Sequence, residues 1–130
     1  MLESTENFRK KLKSVVISGK EVHPIVEGGK GIGASSGASS GAFAAAGAVG
    51  TFSGVNAPYY DENGVVIPYH YHAKTRKDRH EELIEQSIRG GITQAKIAHD
   101  IAGGNGRIHI NVLWEMGGAE RILTSILENT

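Results

Sequence analysis

Glycine is concentrated in one window of the chain, and this window constrains the fold more than any other feature. Nine of the 18 glycines lie between Gly28 and Gly54, together with seven alanines and five serines. Side chains this small fill little of a core, but they allow a backbone to approach another backbone or a ligand closely. The window therefore predicts either a flexible linker or a ligand-binding loop followed by a closely packed helix.

The flanks of this window favour the ordered loop. A short apolar run with a proline near its start, residues 23–27, precedes the window and predicts a strand over Pro24–Glu27. Residues 42–46 form a strong helix-forming run that ends at Gly47, and residues 48–52 predict a second strand. A linker lacks this alternation of strand and helix signals, so we expect the glycines to form a structured loop.

Local signals on either side of the window predict two hairpins. Residues 15–22 are typical of a small hairpin with its turn at Ser18-Gly19. Residues 53–74 are rich in turn-forming residues, and within them residues 61–67 indicate a second hairpin. We therefore expect the second hairpin to be an insertion in the loop that follows the second strand.

The second half of the chain predicts a long helix, a strand and a last helix. Thr75 is an N-cap residue with Asp78 in the capping-box position, and apolar residues recur at helical spacing over 77–102. Gly90-Gly91 predicts either a break or a close packing contact, because each Gly costs about 1 kcal/mol relative to Ala in a helix. The strand and the last helix follow at residues 108–113 and 118–128.

The order of these elements predicts an α/β fold with parallel strands joined by right-handed crossovers. Three parallel strands make a thin sheet, and a (β/α)8 barrel needs about 250 residues. The 130 residues therefore predict the N-terminal part of a TIM (β/α)8 barrel, about three βα units with a short N-terminal hairpin. We expect residues 1–13 to be a tail and residues 14–130 to form the partial barrel, with the hairpin-like insertion at about 53–74.

Composition excludes several classes of function. The 14 Lys+Arg and 14 Asp+Glu give a formal net charge of zero, so no basic excess is present to neutralise nucleic-acid phosphates. The absence of cysteine excludes disulfides, thiol nucleophiles and cysteine-based zinc sites. No apolar stretch approaches the ~18 residues that span a bilayer, and the first residues lack the apolar core of a signal peptide. We therefore expect a cytoplasmic protein without nucleic-acid or membrane partners.

Several segments, taken in order, resemble the nitronate monooxygenase family, once called 2-nitropropane dioxygenases. The first is KEVHPIVEGGKGIG at residues 20–33, followed by the alanine-rich helix and the strand at Gly50-Thr51. The later ones are GITQAKIA at 91–98, INV at 110–112 and MGGAER at 116–121. The resemblance covers roughly residues 14–128, and it lies in the order and spacing of these segments rather than in one motif.

The resemblance implies an FMN-binding (β/α)8 barrel that oxidises alkyl nitronates or reduces with NAD(P)H, with the flavin at the C-terminal mouth of the barrel. In the family pattern Gly28, Gly29 and Lys30 form the loop after the first strand and lie against the flavin ring. Lys30 stands where Met is common, so the contact is expected from its backbone. Asn111 matches an Asn that faces the flavin, and its amide can both donate and accept hydrogen bonds. The phosphate-binding glycines and usual catalytic His belong to the second half of the barrel, so no catalytic residue is assigned.

Two other motifs predict competing sites. Gly29-x-Gly31-x-x-Ala34 fits a relaxed dinucleotide-binding fingerprint, but the acidic residue expected about 20 positions later is absent. Ser39 is the centre of a Gly-x-Ser-x-Gly pattern typical of esterases. It lies beyond two glycine-rich turns rather than at the tip of a strand, which argues against a nucleophile.

Histidines and one aromatic segment complete the candidate residues. His70 and His72, with His80 and Glu81 nearby, are conceivable metal ligands, but their spacing matches no known metal-binding helix and favours solvated side chains. His109 alternates with Asn111 on one face of the third strand and is expected to be a packed core residue. Residues 114–116 either line the flavin or substrate site or pack beneath a neighbouring loop.

The leading hypothesis is an FMN-dependent oxidoreductase of nitronate monooxygenase type, of which this chain is a fragment lacking the C-terminal half of the site. Its expected small-molecule substrates are an alkyl nitronate or NAD(P)H. The alternatives are a non-catalytic half-barrel that needs a partner chain and a small α/β nucleotide-binding module. Because both outer strands lack neighbours, we also predict self-association or pairing with a chain that supplies the rest of the barrel.

Overall fold

An antiparallel hairpin precedes the glycine-rich window. The computed structural model describes residue 10, residues 12–31 and residues 33–130, so most of the predicted tail lies outside the described residues. Strand β1 (Val15–Ile17) pairs with strand β2 (Lys20–Val22). Ser18 and Gly19 connect them with φ values of 48° and 77°, and two positive φ values are what a type I′ hairpin turn requires. The hairpin predicted for residues 15–22 is confirmed.

In the part of the chain that the structure describes, three helices alternate with the strands of a second, parallel sheet. Helix α1 (Gly37–Ala45) leads to strand β3 (Val49–Ser53), helix α2 (Arg76–Ala102) leads to strand β4 (Arg107–Asn111), and helix α3 (Ala119–Glu128) follows. Strands β3 and β4 pair in parallel, from Val49 opposite Arg107 to Ser53 opposite Asn111. Over the described residues the fold is therefore mixed α/β, with three helices, two small sheets and no closed barrel.

The first predicted strand, Pro24–Glu27, is reduced to one parallel bridge between Val26 and Val49. The Glu27 amide donates to the Val49 carbonyl at 2.8 Å, and the Val49 amide donates to the Ile25 carbonyl at 2.9 Å. Beyond this point the Glu27 carboxylate accepts from the amide of Thr51 at 3.0 Å. The backbone therefore leaves the sheet where the glycine-rich loop begins, and a side chain takes the place of a backbone carbonyl.

Helix α2 begins at its predicted N-cap and is continuous through both glycines. Thr75 Oγ1 accepts a hydrogen bond from the amide of Asp78 at 3.1 Å, which satisfies one of the free amides of the first turn. A Cβ built on Gly90 would lie 1.7 Å from the carbonyl oxygen of Ala57. Gly90 therefore marks a close contact with the loop after β3, and the glycine pair does not break the helix. Despite the length of α2, no helix of the described chain has the apolar length needed to cross a membrane.

Helix α1 packs through its backbone, which explains the small residues of the window. It begins at Gly37, earlier than the predicted start at Ala42. A Cβ built on Gly37 would lie 2.2 Å from the carbonyl oxygen of Gln94 in α2. A Cβ on Gly50 of β3 would lie 1.9 Å from the carbonyl oxygen of Ser40 in α1. Both contacts join main chain to main chain, so these glycines allow α1 to lie directly against α2 and β3.

The apolar core lies between the parallel sheet, α2 and α3. Its buried residues are Phe52, Ile84, Ala95, Ile122 and Ile126, and Ile108, Ile110 and Val112 pack against them. Alternate residues from Ile108 onward thus face the helices, because successive side chains of a strand point to opposite faces. His109 is on the other face and is exposed. The expectation that His109 is a packed core residue is therefore wrong.

The insertion after β3 contains the second predicted hairpin as a tight turn. One antiparallel bridge joins Tyr60 and Val66. The Asp61 amide donates to the Val65 carbonyl at 2.9 Å. The Asp61 carboxylate accepts from the amides of Asn63 and Val65, each at 2.9 Å. The side chain of Asp61 therefore closes the turn, as Asp commonly does in such loops.

Candidate functional site

The carboxyl ends of the parallel segments meet at one edge of the sheet. Gly28 follows the Val26 bridge, Gly54 follows β3, and Asn111 is the last residue of β4. The amide of Gly54 donates to the carbonyl of Asn111 at 2.9 Å, which joins the ends of β3 and β4. In parallel α/β folds ligands bind at this edge, so the loops that leave it form the candidate site.

Asn111 lies directly against the backbone of Gly29. A Cβ built on Gly29 would lie 2.6 Å from Asn111 Cγ and 2.7 Å from its amide nitrogen. The half-buried side chain of Asn111 is thus held in a position that leaves no room for a side chain on Gly29. A Cβ on Gly28 would meet no atom within 4 Å, so this glycine borders open space. The fold brings Gly28, Gly29 and Asn111 together from distant parts of the sequence.

Lys30 is fixed in the loop by its backbone. Its amide donates to Ser35 Oγ at 2.7 Å. Its side chain is 64% exposed, and its ammonium lies 3.9 Å from Glu27 Oε1. The backbone of Lys30 is therefore part of the loop structure, whereas its side chain is largely solvated. The positive charge of this side chain lies near the Glu27 carboxylate.

Serine hydroxyls give the glycine-rich loop a defined structure. Ser53 Oγ accepts from the amide of Gly33 at 3.1 Å and donates to the Val55 carbonyl at 3.1 Å. The Ser53 amide donates to the Ser35 carbonyl at 2.9 Å. These bonds tie the loop to the end of β3, so the prediction of an ordered loop rather than a linker is confirmed. Sequence reasoning assigned no role to Ser35 or Ser53, because a serine in a glycine-rich window carries no signal of its partner.

Glu27 is the main organising residue that sequence reasoning missed. Its side chain is buried, and it accepts from the Ser39 hydroxyl at 2.7 Å as well as from the Thr51 amide at 3.0 Å. The available signal was one acidic residue that closes an apolar run immediately before Gly28-Gly29. Since Ser39 lies within α1 and donates to a carboxylate, the arrangement does not resemble the exposed nucleophile of an esterase.

The other motifs of the sequence do not assemble into sites. Helix α1 begins after Ala34, so the Gly29-x-Gly31-x-x-Ala34 motif does not open a helix as a dinucleotide fingerprint must. Among the described residues no group of three or more His, Cys, Asp or Glu side chains is placed to hold a metal ion. His80 Nε2 lies 2.6 Å from the carbonyl oxygen of Gly117, and Glu81 pairs with Arg121 at 2.8 Å. Both contacts connect α2 with the segment after β4.

Residues 114–116 differ in their burial. Trp114 is 70% exposed, and Glu115 is also exposed. Met116 packs against the apolar core. In the segment after β4, the Met116 side chain therefore points inward, and the Trp114 ring is exposed to solvent near the carboxyl end of the strand.

An open groove with three cations lies at the start of α2. Its volume is about 840 Å³, and its lining includes Arg76, Lys77, Arg79 and the ring of Tyr71. The hydrogen bond between His80 and Gly117 connects this region with the loop after β4. Glu81 also lines the groove and pairs with Arg121 at 2.8 Å. The remaining cations lie at the first turn of the helix, where they add to the positive field of the helix dipole, so the groove has an excess of positive charge.

Comparison with known proteins identified no relative. No family model matches the chain, and neither a curated protein nor a solved structure matches it.

Proposed function

We propose that this chain forms three βα units of an FMN-dependent (β/α)8 oxidoreductase of nitronate monooxygenase type. The contact between Asn111 and the backbone of Gly29 is the observation that supports this proposal most. It joins an amide side chain and a glycine loop at the edge of a parallel sheet where such barrels bind their ligands. The remaining βα units would come from the rest of a longer polypeptide or from another chain.

The residues at this edge fit a flavin. Gly28 borders open space, so a flat ring could approach the loop backbone there without a steric clash. The amide of Asn111 offers both a donor and an acceptor, which the polar edge of an isoalloxazine ring requires. When bound, FMN supplies the redox chemistry, and the protein positions it and excludes competing reactions. Gly28, Gly29, Lys30 and Asn111 would hold the ring, and the phosphate site would lie in the units not present here.

The basic groove supports an anionic substrate. Both an alkyl nitronate and NAD(P)H carry negative charge, and Arg76, Lys77 and Arg79 line the groove. An exposed cationic surface raises the local concentration of such anions through long-range attraction. The proposal therefore includes a small anionic substrate. The proposed location of the protein is the cytoplasm.

Complementation tests the proposal. The chain is co-expressed with a segment carrying the other five βα units of a nitronate monooxygenase, and the purified pair is examined for bound FMN. We expect the pair to carry FMN and the chain alone to bind it weakly. Asn111→Leu should weaken FMN binding by about 1–3 kcal/mol, because a polar edge of the flavin loses its partner.

A matched pair of glycine variants separates a specific effect from a general disturbance of the loop. Gly29→Ala should weaken FMN binding, because its Cβ would displace the Asn111 amide. Gly31→Ala adds the same methyl where no atom lies within 4 Å, and it should leave the affinity unchanged. A folded pair that carries no FMN, or an Asn111→Leu variant with unchanged affinity, would contradict the proposal.

A second candidate function, a non-catalytic half-barrel completed by a partner, is favoured by the apolar residues at both outer edges. Ile25 is 45% exposed and Val26 is 55% exposed beside the first parallel segment, and Leu113 is 51% exposed just beyond β4. Unpaired strand edges beside apolar surface invite pairing with another chain. Sedimentation velocity of the full chain should show dimers or larger species. A single species at the monomer mass with cooperative unfolding would refute this candidate.

A further inference from the structure

Two Asn-Gly pairs occur in the sequence, Asn63-Gly64 and Asn105-Gly106. Both asparagines are exposed, but the two glycines lie in different surroundings. In such a pair the backbone nitrogen of the glycine can attack the side-chain carbonyl carbon of the asparagine, because glycine has no Cβ to hinder the approach. The reacting atoms must come within about 3–3.5 Å of each other, so the freedom of the peptide between the two residues decides whether they react.

The first pair lies in the exposed turn that the Asp61 side chain closes. A Cβ built on Gly64 would meet no atom within 4 Å, and the amide of Gly64 donates to the Asp61 carbonyl at 3.0 Å. The bridge between Tyr60 and Val66 pairs the two arms of the hairpin, and Val65 and Val66 are 62% and 50% exposed. A hairpin with so little buried surface opens locally at a low cost in free energy, and this opening frees the amide of Gly64.

The second pair is enclosed by the main chain of α1 and of the residues that follow it. Gly106 is buried, and a Cβ built on it would lie 2.4 Å from the carbonyl oxygens of both Ala44 and Ala48. The next amide, that of Arg107, donates to the Ala48 carbonyl at 3.1 Å where β4 begins. Rotation of the peptide between Asn105 and Gly106 therefore requires α1 to separate from β4, which is a far more costly opening than that of an exposed turn.

We propose that Asn63 is a site of spontaneous deamidation in the folded protein and that the fold protects Asn105. The Gly64 nitrogen loses its proton to solvent and forms a bond with Asn63 Cγ. The bond between Cγ and the side-chain nitrogen then breaks, this nitrogen takes up a proton and leaves as ammonia, and a succinimide ring remains. Water opens the ring at either of its carbonyls and gives an aspartyl or an isoaspartyl residue, so the reaction needs no oxidant or reductant.

The product changes the turn in which it forms. The Asp61 carboxylate accepts from the amides of Asn63 and Val65 at 2.9 Å each. Deamidation adds a negative charge next to Asp61 and Glu62, and like charges this close repel one another. The isoaspartyl product also lengthens the backbone between the two amides by a methylene group. Both changes weaken the turn.

Incubation of the full chain at mildly alkaline pH, in buffer and in concentrated urea, tests the proposal. Proteolytic digestion and mass spectrometry give the reaction rate at Asn63 and at Asn105. Each rate in urea is divided by the rate of the same asparagine in buffer, so intrinsic differences between the two local sequences cancel. We expect this ratio to be at least about tenfold larger at Asn105 than at Asn63, because only the exposed turn opens readily in the folded chain. A smaller difference would overturn the proposal.

Two matched variants provide a second measurement that needs no unfolded state. Ion-exchange chromatography of the incubated chain should show a new species with one more negative charge. Asn63→Gln should remove this species, because the longer side chain places its carbonyl carbon less favourably for ring closure. Asn105→Gln should leave it unchanged. Persistence of the acidic species in Asn63→Gln, or its loss in Asn105→Gln, would overturn the proposal.

Discussion

Helices α1 and α3 both pack against α2, but they do so through different parts of the chain. On the α1 side, a Cβ built on Gly37 would lie 2.2 Å from the carbonyl oxygen of Gln94 and 3.0 Å from its Cα. On the α3 side, Ile122 and Ile126 are fully buried and fill the space with side chains. A contact between two backbones has no side chain that can move aside, whereas a side-chain contact can adjust.

This difference matters for the candidate site. Ser40 of α1 touches Gly50 of β3 through its carbonyl, and the same helix carries Ser39, which donates to Glu27. The glycine-rich loop is therefore anchored to the rigid side of the molecule. The α3 side carries the isoleucine core. We therefore expect the free energy of unfolding to change by different amounts when one carbon atom is added or removed on the α1 side and on the α3 side.

The largest effect is expected for Gly50→Ala. Three backbone atoms of Ser40 would lie within 2.5 Å of the added Cβ, and none belongs to a flexible side chain. The free energy of unfolding should fall by about 3 kcal/mol or more, at the upper end for overpacking. Urea denaturation measures the change. Gly31→Ala, in open space, serves as the control and should change stability by less than about 0.5 kcal/mol. A similar loss of unfolding free energy in Gly50→Ala and Gly31→Ala would contradict the view that the backbone contact at Gly50 leaves no room for a methyl group.

An intermediate effect is expected where α3 meets α2, and it should be reversible by a second substitution. A Cβ on Gly91 would lie 2.3 Å from Ile126 Cδ1, the end of a side chain that Ile126→Val shortens. Gly91→Ala alone should destabilise by about 1–3 kcal/mol, and Ile126→Val alone by about 1 kcal/mol. The double variant should lose about 1 kcal/mol less unfolding free energy than the sum of the losses in the two single variants.

The control for this cycle pairs Ile126→Val with Gly50→Ala. The three atoms nearest to a Cβ on Gly50 all belong to Ser40 of α1, and Ile126 lies in the isoleucine core. We therefore expect the two effects to add. Additive effects for Gly91→Ala with Ile126→Val would show that the α3 side does not adjust, and would contradict the comparison with α1.

The smallest effect is expected for the ion pair between α2 and α3. Arg121 and Glu81 approach to 2.8 Å, and each side chain is 51% exposed. Exposed pairs of this kind contribute about 0–1 kcal/mol, so Arg121→Ala should lower the free energy of unfolding by about 0.5 kcal/mol or less. Thermal unfolding at low and high salt measures it. A loss above that of Ile126→Val would mean that charge, rather than the isoleucine core, holds α3 in place.

Features with short-range causes were predictable from the sequence. The hairpin at residues 15–22 follows from Ser18-Gly19, which accept positive φ values, and the start of α2 follows from the Thr75 cap. The ordered loop was predicted from its flanks. The strand at Pro24–Glu27 was overpredicted, because the apolar run gave no sign that the Glu27 side chain would replace the backbone as the partner of Thr51.

The sequence by itself determined the alternation of strands and helices, the turns and the helix caps, because these depend on residues within a few positions of one another. Only the tertiary structure decided which glycines are essential and which atoms meet at the site. The contact of Gly29 with Asn111 and that of Gly90 with Ala57 join residues far apart in the chain. In sequence Gln86 looks like any other helical glutamine, yet its buried side-chain oxygen has no hydrogen-bond donor among the described residues. Such facts depend on packing in three dimensions, where a single methyl group or one unpaired acceptor changes the free energy.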